Sequence, residues 1–137
     1  MDIDALHAFL AAEFPQVKDD FRVEALAPME ATISMRPRDA HLRPGGTVSG
    51  PSLFALADVA VYLVLMAMIG PKALAVTTNA SVDFMRKPAA GKDLLADVRL
   101  LKLGRVLAVG DVLIRSDGDD RPVARATLTY SIPPARE

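Results

Sequence analysis

Asp58 is the one charged side chain in the eighteen-residue run Ser52–Ile69, SLFALADVAVYLVLMAMI. A charge among apolar neighbours is costly, and a desolvated carboxylate changes its proton affinity and reactivity, so such a position is a candidate acid, base or nucleophile. Its structural alternative is a carboxylate that caps a backbone amide or pairs with an arginine. Nine residues earlier stands Ser49, followed by Gly50 and Pro51. Serine ahead of a helix and proline as a first helical residue mark a helix start there. The unpaired N–H groups of such a start can receive developing negative charge. Ser49 has three readings: helix cap, substrate hydrogen-bond donor, or nucleophile. The last is disfavoured, because a nucleophile elbow needs Gly-x-Ser-x-Gly and Gly46-Thr-Val-Ser-Gly50 is out of register.

Other chemistry is sparse. The two histidines are His7, on a predicted first helix and expected to be solvated, and His41, in a loop that would have to fold back to reach the site. With these and no cysteine, a transition-metal site has no support, and none is expected. Asp117-Gly-Asp-Asp120 lacks the twelve-residue calcium loop and reads as a turn. The absence of cysteine excludes disulfides and a thiol nucleophile and fits a reducing compartment. A net charge of −1 gives no case for nucleic acid or a polybasic membrane patch. MDIDALHAFL has two Asp and no basic n-region, unlike a signal peptide, so the cytoplasm is the expected location.

The elements that must position Asp58 follow from periodicity. The run around it is near the lower limit for a bilayer span, but a mid-helix Asp, flanks without a Lys/Arg cluster and the lack of a second run argue for a core helix. Because Phe54, Leu56, Val59, Val61, Leu63 and Leu65 point in different directions, something must surround that helix. Ile3, Leu6, Leu10 and Phe14 at helical spacing predict a short helix over about 2–14, with Asp2 or Asp4 as cap. Residues 21–35 alternate weakly and predict a first strand or hairpin. From Val76, period-two alternation places Val76, Thr78, Ala80, Val82 and Phe84 on one face and Thr77, Asn79, Ser81 and Asp83 on the other. Further strands are predicted over 93–103, 105–115 and 124–132, the last with Ala124, Ala126, Leu128, Tyr130 and Ile132 facing the core. One domain spanning 1–137 results, of class α+β: a five-stranded antiparallel sheet curled round a long central helix, the hotdog arrangement.

On that frame sit Arg43-Pro-Gly-Gly-Thr-Val-Ser-Gly-Pro51, Leu56-Ala-Asp58, Ser81-Val-Asp-Phe-Met-Arg-Lys-Pro88 and Lys102-Leu-Gly-Arg105. In this order and spacing, over roughly residues 30 to 133, the chain resembles the hotdog acyl-CoA thioesterases of the phenylacetic-acid-degradation type. The resemblance implies hydrolysis of an acyl-CoA thioester with Asp58 as general base or nucleophile. It implies no cofactor beyond the coenzyme A carried by the substrate, and candidate substrate contacts at Arg43, Asn79, Ser81, Arg86, Lys87, Lys102 and Arg105. The family opens its central helix with His-Gly-Gly; Ser49-Gly50-Pro51 stands there instead, and Arg43 replaces an Asn that often precedes the His. The carboxylate is kept.

Asp58 and Gly50 lie on the order of 10 Å apart along one helix, so both cannot touch one thioester. Two antiparallel central helices would bring Gly50 of one protomer to Asp58 of its partner, as the resemblance also implies, so a homodimer or homotetramer is expected. A hotdog hydratase is disfavoured, because that class places His five residues after the carboxylate and this chain has Leu63. A noncatalytic acyl-CoA-binding hotdog module is the alternative that the loss of the His keeps open.

Overall fold

A computed structural model describes residues 1–134. The chain runs α1 (Ile3–Glu13), β1 (Phe21–Ala27), β2 (Glu30–Met35), α2 (Gly50–Ile69), β3 (Val76–Phe84), β4 (Leu94–Leu103), β5 (Leu107–Ser116) and β6 (Pro122–Ser131), with short 3₁₀ turns at Pro15–Val17 and Asp39–His41. All strands pair antiparallel in one sheet of order β1-β2-β4-β5-β6-β3. This is the expected hotdog arrangement with one strand more than predicted. Residues 21–35 form a full hairpin, reversed at Pro28-Met29 with Met29 at φ 68. A methionine stands where a positive φ normally selects Gly or Asn, so Pro28 is the one turn residue that marks the reversal.

The sheet exists to cover α2. By length and composition that helix could cross a bilayer, yet more than half of its most apolar window is buried inside the protein. Leu56, Val61, Leu63, Val64, Leu65 and Met66 are essentially inaccessible, packed against Ile33, Met35, Leu94, Ala96, Val112, Ile114 and Leu128 of the sheet. Helix α1 begins with Asp2, whose carboxylate accepts from the Ala5 amide at 2.8 Å, and seats Leu6 and Leu10 in the same core. His7, expected to be solvated, is half-buried, and its Nε2 accepts the Val23 amide at 2.9 Å, tying α1 to β1.

Helix and sheet approach each other closely at Gly110 on β5. A Cβ there would lie 2.8 and 2.9 Å from the two Val61 methyl carbons, and a β-branched side chain in a helix has little rotamer freedom with which to yield. Gly110→Ala is expected to destabilise the protein by about 1–3 kcal/mol through overpacking, read as a lowered thermal midpoint.

Candidate functional site

Ser49 caps α2: its hydroxyl accepts the Ser52 amide at 3.4 Å and lies 3.1 Å from the Ser52 hydroxyl, while its carbonyl accepts the Leu53 amide at 3.0 Å. Gly50, not Pro51, is the first helical residue, and among the described residues nothing accepts from its amide. The Phe84 ring lies against it, 3.5 Å from where a Cβ would stand, so the helix N-terminus opens beside an aromatic wall.

The entry to this end is clasped. Arg38 donates through Nε and Nη2 to the two oxygens of buried Asp20 at 2.7 and 3.0 Å, and His41 Nε2 lies 3.5 Å from the same carboxylate. His41 Nδ1 accepts the Arg38 amide at 2.8 Å, and the His41 carbonyl accepts the Ser49 amide at 2.8 Å. His41 is thus committed to holding the approach to α2. The segment between closes as a tight loop, with Leu42 bridged to Val48 and both Gly45 and Gly46 at positive φ, where a side chain would be strained.

Asp58 lies eight residues below Gly50, about 12 Å along the helix axis, half-buried on the face turned to β3 and β6. Its Oδ1 accepts two hydroxyl hydrogen bonds, from Thr77 at 2.6 Å and from Tyr130 at 2.7 Å. The Tyr130 hydroxyl is also 3.1 Å from the Asp58 carbonyl oxygen. Burial pushes the Tyr130 hydroxyl far above the ordinary tyrosine range, and the neighbouring carboxylate adds to this, so Tyr130 stays a donor. Its ring packs on Tyr62 at 5.9 Å between centroids; Tyr62 donates to the Ala73 carbonyl at 3.0 Å, and burial raises its hydroxyl to about 12. Phe9 and Phe14 also pack on the Tyr62 ring, at 6.0 and 5.6 Å between centroids.

Sequence reasoning missed both hydroxyl partners. Simple alternation puts Thr77 on the polar face of β3, but a bulge at Thr78 breaks the register: Thr77 pairs with Tyr130 and Asn79 with Thr129. The extra residue turns Thr77 inward and Val76 outward, as bulges beside functional sites do. Tyr130 carried a legible signal, since it is the one polar-tipped residue on an otherwise apolar inward face and a buried tyrosine hydroxyl needs a partner.

The other candidates are scattered. Asn79 and Ser81 are exposed and, being paired with Thr129 and Thr127, face away from the helix. All the proposed cations are exposed. Arg43 and Arg86-Lys87 lie at the N-terminal end of α2, the latter pair just beyond Phe84. Lys102 and Arg105 flank the β4–β5 turn, where Arg105 borders a groove of about 390 Å³ with Ile69, Lys72, Val106 and Ile132 at the helix's other end. The two sets are on the order of 28 Å apart within one protomer. No group of three or more metal-ligating side chains occurs among the described residues, and Asp119 pairs with Arg121 in the expected turn.

Comparison with known proteins adds four findings. A family model described as the thioesterase superfamily matches residues 45–123. A crystal structure from Silicibacter sp. TM1040, provisionally assigned as a thioesterase, is 60% identical with a TM-score of 0.92, covering 98% of this chain and 93% of that one. A mutant of the phenylacetic acid degradation protein PaaI from Thermus thermophilus is 31% identical with a TM-score of 0.73, covering 87% of this chain and 99% of that one. A hypothetical thioesterase from Streptococcus pneumoniae, solved with coenzyme A, has the same fold at 21% identity and a TM-score of 0.75, covering 99% of this chain and 100% of that one. No curated protein matches.

The clasp sets a pH dependence. The hydrogen bonds from Arg38 lower the Asp20 pKa below its ordinary 3.8, so the stability it contributes is present above that value and is lost as pH falls through the folded pKa. Arg38→Met is expected to lower the melting temperature at neutral pH, and the gap from the parent should close as the acid is titrated below about pH 4. A gap that persists unchanged to low pH would mean the clasp acts only by packing.

Proposed function

The chain belongs to the thioesterase superfamily, and from that premise we propose that it hydrolyses an acyl-CoA thioester to the free acid and coenzyme A, with Asp58 as the catalytic carboxylate. The observation that carries this reading is the Asp58 carboxylate itself. It stands on the core helix with one oxygen held by two hydroxyls and the other without a protein partner among the described residues. A carboxylate in that state can take a proton from an attacking water or attack the thioester carbonyl itself. The Gly50 amide at the helix start, free of an internal acceptor among the described residues, suits the oxygen on which negative charge develops.

The spacing of about 12 Å between these two groups requires a second copy. Antiparallel packing of two α2 helices would set Gly50 of one protomer against Asp58 of the other. It would also set the Arg86-Lys87 end of one helix near the Lys102–Arg105 end of its partner, gathering cations that one protomer keeps apart. Coenzyme A carries phosphates that such a cluster would bind. Strand β3 favours this assembly: it ends the sheet with an unpaired edge, and Leu74, Val76, Phe84 and Met85 along it are exposed. The coenzyme A bound by the Streptococcus pneumoniae protein agrees with the substrate class.

Thiol release from a panel of short, medium and aromatic acyl-CoAs tests the reading, and the lack of cysteine keeps the background low. Asp58→Asn should reduce kcat by about 10² or more with the fold intact. An Asp58→Asn protein of full activity would sink the mechanism, and a folded parent that binds coenzyme A but turns over no thioester would make the chain a binding module. Sedimentation should find a dimer or larger assembly; an active, stable monomer would contradict the shared site.

A further inference from the structure

We infer that Tyr130 is a positioning residue, whose hydroxyl fixes the Asp58 carboxylate so that Oδ2 alone is presented for reaction. The inference rests on the reading of Asp58 as the catalytic carboxylate.

Three observations carry it. The Tyr130 hydroxyl reaches both the Oδ1 and the backbone carbonyl of the same residue, at 2.7 and 3.1 Å. It therefore ties the side chain of Asp58 to its own main chain and restricts both torsions that aim the carboxylate. The tyrosine cannot swing away, because it is 3% exposed and its ring is wedged against Tyr62, itself anchored to the Ala73 carbonyl. The second hydroxyl, Thr77, lands on the same Oδ1 rather than on Oδ2, so both donors are spent on one oxygen. A buried tyrosine needing only a partner would be satisfied by the carbonyl; the shorter contact is to the carboxylate.

The reaction at Oδ2 uses only water and the thioester. Oδ2 takes a proton from water as the water oxygen bonds to the thioester carbonyl carbon. The C–S bond then breaks, and the proton passes from Oδ2 to the departing thiolate, which restores the carboxylate. Positioning matters because a misplacement of about 1 Å costs on the order of 10² in rate.

Tyr130→Phe removes one oxygen and keeps the ring. Its kcat should fall by about tenfold or more with KM unchanged, after normalisation to the folded fraction at the assay temperature. Introduced into Asp58→Asn, the same change should cause no further loss from the residual rate, since the group it aims is gone. Losses that multiply in the double variant, or a Tyr130→Phe enzyme with parental kcat beside a crippled Asp58→Asn, would overturn the inference and leave the role of Asp58 standing. Full activity of Asp58→Asn would instead remove the premise.

Discussion

A twenty-residue helix that is apolar nearly all round cannot be left on a surface, and the rest of the structure answers that constraint. One sheet face covers a helix only where the sheet curls, and six antiparallel strands supply the width. The same burial makes Asp58 exceptional. On an ordinary amphipathic helix a carboxylate would sit in water; on α2 it emerges at the seam between β3 and β6, where strand hydroxyls meet it. The need to bury the helix and the means to hold the carboxylate are therefore one arrangement.

The seam is also where regular geometry is given up. A strand of unbroken alternation would set Thr77 outward and bring Val76 to face the helix. The bulge at Thr78 exchanges them, putting a hydroxyl beside the carboxylate and an apolar side chain on the exposed edge. Burial of hydrophobic surface is sacrificed locally for a hydrogen bond to a charged group, and such bonds are stronger than neutral ones. A similar exchange holds the approach to α2, where buried Asp20 is satisfied by Arg38 and His41.

The fold was legible in the sequence wherever periodicity was long. The apolar run of α2 and the alternation from Ala124 to Ile132 each allow one solution, and the serine and glycine ahead of Pro51 marked the helix start within a residue. The β1–β2 hairpin was only half legible, because Met29 occupies the turn where glycine would have signalled a reversal. Within the site, Asp58 announced itself as an isolated charge, and Tyr130 could have been found as a polar tip on an apolar face. Thr77 could not: a bulge is a choice between registers that depends on the partner strand, and no local residue pattern at Val76-Thr-Thr-Asn79 encodes it. The cations were recognised as a set, yet their separation to opposite ends of α2 is a property of the folded chain alone.

The aromatic packing beside Asp58 has an optical consequence. The chain contains no tryptophan and two tyrosines, and those two are Tyr62 and Tyr130, in ring contact with each other, one of them bonded to the carboxylate. Every tyrosine chromophore the protein owns thus lies at the site or one ring away. Its near-ultraviolet absorption and circular dichroism above the phenylalanine bands are, in effect, a spectrum of the Asp58 pocket, reporting on events there without a label.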